Sequence, residues 1–223
     1  MSKPFIPEDL LEIGNYNVVS CDNDILIIDD WYKNYDELYD VVSNLPAQRW
    51  KWNDDGKNFV DYYDCRPSIN INFPDGRKLD KFVFSIADVM AKYLKKDNIE
   101  TLQVLGGMLE FNFYQNIKEN IPNRLQHYPH IDYTYNYIVF LDKISSGGTA
   151  LYHDMNALPP GESADLLFDV SKYDKTMIHA KPNRMVIFPG KTPHGGYIED
   201  HNAYVGNWRM NQVFFLAINE KES

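Results

Sequence analysis

The sequence predicts a mainly β, α+β chain, an antiparallel sandwich or barrel with a helical layer packed on its N-terminal side. Three observations predict it. From about residue 103 the chain is a series of short β-branched or aromatic runs divided by Gly, Pro, Asn and Asp. No helical pattern is interleaved with those runs, so parallel βαβ units are not expected. Aromatic residues make up 14% of the chain, with sixteen Tyr, and such residues suit strands and half-polar cavities.

The elements follow in order. ILIIDDWY (25–32) reads as a short buried strand. NYDELYDVVSNL (34–45) reads as a helix, because Leu38, Val41, Val42 and Leu45 recur at the helical period. The segment WNDDGKNFVDYYDCRPS after it reads as irregular. DGRKLDKFVFSIADVMAKYLKK (75–96) is a second helix. Its apolar positions include Phe82, Ile86, Val89 and Met90, and Lys92, Lys95 and Lys96 suit the negative end of its dipole. Strands are then expected in GGMLEFNFYQ (106–115), YNYIVFLD (135–142), GGTALYH (147–153), NRMVIFPG (183–190) and NWRMNQVFFLAI (207–218). The stretch 155–181 reads as a long insertion, of the length that often forms a lid or binding loop. With no Gly/Ser or Pro linker in view, residues 1–223 are expected to form one domain, with 1–102 as a helical supporting part and 103–220 as the β core.

Composition narrows the function classes. A formal charge of −10 argues against nucleic acid or an anionic membrane as the main partner, since both require a basic face. Cys21 and Cys65 lie in no metal-ligand spacing, and two lone thiols suit a reducing cytoplasm. The N-terminal stretch shows no basic region followed by an apolar one, so no secretory leader is expected. No apolar run approaches the roughly 18 residues of a membrane span.

The chemistry centres on HYPHID (127–132). On a strand, His130 and Asp132 share one face, one imidazole beside one carboxylate. That is part of what a two-histidine, one-carboxylate site on Fe(II) needs, and such a site leaves positions open for further ligands. In a chain this acidic about one such triplet is expected by chance, so a second histidine is required. His194, in NRMVIFPGKTPHGGY, stands between Pro193 and Gly195 just past an apolar strand, a poor place for a core packer. A surface turn histidine is the alternative. His127, three residues before His130, points to the other face of a strand and is read as a bystander. The open positions would take a dicarboxylate such as 2-oxoglutarate, whose far end calls for a bidentate donor. Arg209 lies in an apolar strand where an unpartnered guanidinium is costly, and Asn211 shares its face. A structural salt bridge is the alternative there.

The ordered set His130-x-Asp132, YIVFLD, SGGTALY, NRMVIFPGKTPHGGY and WRMNQVFF, over residues 104–218, resembles the iron(II)/2-oxoglutarate-dependent dioxygenase superfamily and its prolyl-4-hydroxylase-like branch. The resemblance implies a double-stranded β-helix, a cupin-like jelly roll. It implies Fe(II) held by His130, Asp132 and His194, with 2-oxoglutarate held by Arg209, helped by Tyr114 and Asn211. It implies O2 as the oxidant, ascorbate as an optional addition, and hydroxylation of a peptidyl or small-molecule substrate. Arg209 follows His194 by fifteen residues, a longer interval than is usual in the branch, with Lys191 and Arg184 as fallbacks. Arg124, Tyr128 and Tyr133 are candidate substrate contacts. Two other classes stay open: a non-enzymatic jelly-roll binding module with a vestigial metal site, and a cupin-type metalloenzyme that does not use 2-oxoglutarate.

Overall fold

A computed structural model describes residues 8–44, 50–51, 63–66, 76–95, 109–116, 129–132, 135–153 and 173–216. Its frame is two antiparallel sheets. The larger contains β1 (Asn17–Asp22), β2 (Ile25–Asp29), β3 (Trp50–Lys51), β4 (Tyr63–Arg66), β5 (Leu109–Asn116), β6 (Tyr135–Phe140), β9 (Arg184–Pro189) and β11 (Arg209–Leu216). Their order is β1-β2-β9-β6-β11-β5-β4-β3. The smaller contains β7 (Gly148–Tyr152), β8 (Lys175–His179) and β10 (His194–Tyr197), in the order β10-β7-β8. After β6 the chain crosses to the small sheet for β7 and β8, returns for β9, crosses again for β10 and returns for β11. From β6 to β11 the chain thus alternates between the two sheets.

The two faces of the large sheet do different work. Alternation along β6 sends Tyr135, Tyr137 and Val139 to one side and Asn136, Ile138 and Phe140 to the other. The first side joins Met185, Ile187, Met210 and Phe214 in a core shared with the helices. The helices are α1 (Tyr35–Ser43) and α2 (Gly76–Leu94), which bury Leu38, Val42, Phe82, Ile86, Val89 and Met90 against it. Phe82 meets Tyr137 and Phe214 edge-on, with ring centroids 6.0 Å apart in both pairs. The second side packs Ile138, Phe140, Val186 and Phe188 against Leu151 and Ile178 of the small sheet. The polar residues described below sit on that inner side.

The N-terminal region holds the two expected helices and, as β2, the strand expected within 25–32. Among the described residues it also supplies β1, β3 and β4, and these strands extend the large sheet at both edges. β1 is largely solvent-exposed and polar, so it carries no apolar alternation to reveal it. Its pairing to β2 closes through Asn23 and Asp24, at φ 51° and 61°, a two-residue loop of the type that joins twisted strands. β4 lies within the segment read as irregular, β3 just before it, and β8 within the stretch read as an insertion. Residues 155–172 of that stretch lie outside the described residues. No helix among the described residues is long and apolar enough to cross a membrane.

Candidate metal centre

Backbone pairing sets the site. His130 and His194 form an isolated antiparallel bridge, each N–H donating to the other's carbonyl at 2.9 Å. Directly opposed residues present their side chains on the same face, and the two imidazole centroids stand 4.5 Å apart. Asp132, two residues on, is anchored by its N–H donating to the Gly190 carbonyl at 2.8 Å. Its Oδ2 lies 3.1 Å from His194 Nε2 and 3.6 Å from His130 Nε2. One ligand atom from each residue falls within 4.8 Å of the others, so the three could hold a metal ion. His194 is buried, Asp132 is half-buried, and the His130 side chain is 54% exposed, so the site opens towards solvent on the His130 side.

The hydrogen bonds define the protonation of His194. Its Nδ1 lies 2.8 Å from the Thr192 carbonyl, which can only accept, so Nδ1 carries the proton. Asn136 Nδ2, on the inner face of β6, donates to His194 Nε2 at 2.8 Å and to Asp132 Oδ2 at 3.1 Å. The amide cannot be reversed without setting its oxygen against the carboxylate. His194 Nε2 and Asp132 Oδ2 stand 3.1 Å apart. A metal ion could take both atoms as ligands. The separation also suits one: adjacent ligands on an octahedral metal with bonds of about 2.1 Å lie about 3 Å apart. The orienting bond from the second ring nitrogen is what metal-ligating histidines need. Burial raises the proton affinity of the Asp132 carboxyl, but the adjoining His130 and His194 more than reverse this and hold it well below the usual carboxylate range.

A second group of buried polar atoms lies on the same inner side. Arg209, at the start of β11, is 6% exposed and donates from Nη2 to the Gly148 carbonyl at 2.9 Å. Its Nε is buried with no hydrogen-bond partner, as are Asn211 Oδ1 and Asn136 Oδ1. Buried polar atoms are normally satisfied, so three orphans on one interior face point to a polar occupant. In the β7–β10 ladder, His194 stands opposite Leu151 and Tyr197 opposite Gly148. Three residues of strand separate the two ends, about 10 Å.

Asp142 completes this end. It is 2% exposed, its Oδ2 accepts from the Tyr204 hydroxyl at 3.0 Å, and its Oδ1 has no partner. Burial pushes its carboxyl up to about 6, against the opposing pull of the Arg209 charge and the Tyr204 hydroxyl.

The structure thus brings His130, Asp132 and His194 together and places Arg209 and Asn211 on the same interior. Tyr114 is the residue opposite Arg209 in the β5–β11 ladder. The fallbacks lie elsewhere: Lys191 is exposed, and Arg184 is held by Asp29 at 2.7 Å. His153 and His179 have other partners, Thr176 and Glu199. His127, Arg124, Tyr128 and Tyr133 lie outside the described residues. Sequence reasoning missed Asn136 and Asp142. The available signal was a polar residue at an inward position of the apolar run YNYIVF, and an Asp closing YIVFLD.

No family model and no curated protein matches the chain. Solved structures similar to it include 2OG-Fe(II) oxygenase family members and prolyl hydroxylases. An oxidoreductase of that family from Burkholderia pseudomallei is 10% identical over 89% of this chain and 86% of that one, with a TM-score of 0.47. A Pseudomonas putida prolyl-4-hydroxylase is 9% identical over 98% and 91%, with a TM-score of 0.43. HygX from Streptomyces hygroscopicus, solved with nickel and 2-oxoglutarate bound, is 12% identical over 86% and 81%, with a TM-score of 0.49.

Proposed function

We propose that the protein is an Fe(II)- and 2-oxoglutarate-dependent dioxygenase that hydroxylates a peptidyl or small-molecule substrate. The carrying observation is the cluster of ligand atoms on His130, Asp132 and His194, all within 4.8 Å of one another, with Arg209 held at Gly148, about 10 Å along the ladder. Fe(II) with 2-oxoglutarate and O2 supplies the oxidising chemistry that places a hydroxyl on a C–H bond, with succinate and CO2 released.

The residues divide the remaining work. His130, Asp132 and His194 hold the metal and leave its other positions free. Thr192 fixes the His194 ring so that Nε2 faces inward. Arg209 receives the far carboxylate of the co-substrate, with Asn211 beside it and Tyr114 opposite. The buried flank formed by Phe188, whose ring meets His194 edge-on at 4.9 Å, excludes water from one side of the metal. Substrate approaches from the other side, where His130 is exposed. No side-chain base is required. The four strands of residues 1–102 continue the sheet that carries Arg209, which supports treating 1–223 as one unit.

The test is anaerobic. Fe(II) and then 2-oxoglutarate are added to metal-free protein, and the weak visible charge-transfer band of a chelated 2-oxo acid is sought. The band should appear, vanish in His130→Ala and weaken in Arg209→Ala. Iron binding without the band would refute the co-substrate and leave a cupin-type metal site. Failure to bind iron would refute the triad.

A further inference from the structure

We propose that Asp142 is the resident counter-ion of Arg209 and thereby sets its affinity for a carboxylate. An incoming carboxylate replaces Asp142 as the partner of the guanidinium, and Asp142 takes up a proton from solvent as it does so. The inference rests on the co-substrate reading of Arg209 given above.

Three observations on geometry carry it. Arg209 and Asp142 are buried together, at 6% and 2% exposure, so neither charge can be compensated by bulk water. They are fixed relative to each other by backbone: the Asp142 and Leu141 N–H groups both donate to the carbonyl of Met210, the residue after Arg209, at 3.2 and 2.9 Å. Each also retains an unsatisfied atom, Arg209 Nε and Asp142 Oδ1. A pair built purely for structure closes its hydrogen bonds. This pair leaves on the cation the donor that a ligand carboxylate would need.

The charge balance follows. Without ligand, one buried cation faces one buried anion. A ligand carboxylate at Arg209 would leave two anions against one cation in a low-dielectric interior, and one must be neutralised. Asp142 is the group able to do so, because burial already pushes its carboxyl up to about 6. The other groups around it do not compete. Tyr204, on the short helical turn His201–Tyr204, donates its hydroxyl to Asp142, and burial and the Asp142 charge raise its proton affinity further. Tyr35 of α1 donates to the Leu141 carbonyl at 2.7 Å, and burial first and then the Asp142 charge raise its proton affinity too. Both stay neutral. Lys143 and Asp36 pair with each other at 3.2 Å on the surface, with side chains 49% and 82% exposed, where solvent screens them.

The sign is determined. Near pH 7.5 Asp142 is ionised without ligand and protonated with it, so binding consumes close to one proton. Affinity for the dicarboxylate falls as pH rises, by at most tenfold per unit, and flattens below about pH 6.

The experiment is anaerobic calorimetry of 2-oxoglutarate binding to Fe(II)-loaded protein from pH 6 to 8.5, in buffers of different ionisation enthalpy. Uptake approaching one proton in the wild type, with a flat profile and about tenfold or more tighter binding at pH 8 in Asp142→Asn, supports the proposal. Tyr204→Phe is the second variant. It removes the hydroxyl that stabilises the Asp142 anion, so the pH profile should move upward with Arg209 untouched. A wild type without proton uptake overturns the proposal. So does an Asp142→Asn protein that keeps the wild-type slope, or a Tyr204→Phe profile that does not move. If 2-oxoglutarate binds at no pH, the dioxygenase reading itself fails, and this role for Asp142 falls with it.

Discussion

Replacing Asn136 with Leu should weaken the metal-free protein and tighten its grip on metal. In the metal-free site the Asn136 amide donates to His194 Nε2 at 2.8 Å and to Asp132 Oδ2 at 3.1 Å. A neutral hydrogen bond contributes about 1 kcal/mol net and one to a carboxylate about 1.5–3, so their joint loss costs about 2–4 kcal/mol. Leu is close to Asn in size, so little is added for packing. A metal ion must take the single lone pair of His194 Nε2, so the loaded protein loses that hydrogen bond, whereas Asp132 Oδ2 keeps a second lone pair for the amide. Only the cost of the neutral bond, about 0.5–1 kcal/mol, therefore falls on the metal-free form alone. Metal affinity should rise by about that amount, a two- to fivefold tighter site at about 0.59 kcal/mol per e-fold. Competition for Zn(II) or Co(II) against a chelator measures the affinity, and calorimetry of the metal-free form measures the stability. If the melting temperature drops while metal affinity stays level or weakens, Asn136 supports the ligands in the loaded state and the reasoning is wrong.

Two further expectations concern the frame. Asp29 on β2, 6% exposed, accepts from Arg184 Nε at 2.7 Å and from Lys181 at 2.6 Å, so Asp29→Ala should cost about 2–4 kcal/mol by leaving the half-buried guanidinium unpaired. Burial raises the Asp29 carboxyl, but Arg184 and Lys181 outweigh it and hold it below its usual value. Its contribution is thus present above the unfolded pKa of about 3.9 and lost as pH falls through the folded value, and urea titrations should show the variant's deficit shrinking below about pH 4. An equal deficit at pH 3 and 7 would contradict this. Gly147→Ala should destabilise by about 3 kcal/mol or more, since φ is 101° and the new Cβ would sit 2.0 Å from the Tyr197 carbonyl oxygen. A loss under about 1 kcal/mol in the same titration would mean that the β7–β10 edge yields easily.

What the sequence makes legible divides along burial. β6, β9 and β11 are paired on both sides in the large sheet, and their apolar runs identify them at once. α1 and α2 likewise show the face they bury, through Leu38 and Val42 and through Phe82, Ile86 and Met90. The edges are different. β1 needs only backbone pairing on one side, so NVVSCD passes as loop, and β3 has two residues. β8, KTMIH, has Lys175, Thr176 and His179 around two apolar residues, and a strand so polar at the edge of a sheet resists further pairing while hiding from pattern analysis. β10 is HGGY, where two glycines erase any pattern. The hairpin at Asn23-Asp24 was the one edge signal open to inspection.

The metal-facing residues are legible for another reason. His130 and Asp132 share a face by strand periodicity alone, but His194 reaches them through the bridge that pairs it with His130 across sixty-four residues of chain. Pairing of that range is a property of the fold, and only the ordered company of motifs makes it readable beforehand. Asn136 and Asp142 were not readable, because each looks like an interruption in an apolar run and its meaning depends on a partner from a different strand. Asn136 matters because it donates to His194 and Asp132 from two other segments, and Asp142 because its carboxyl feels the Arg209 charge on the neighbouring strand. Such residues break the local hydrophobic pattern for a gain that lies in another element. A polar side chain at an inward strand position, with an atom left unpaired, is therefore the mark by which a binding interior differs from a packed core of the same shape.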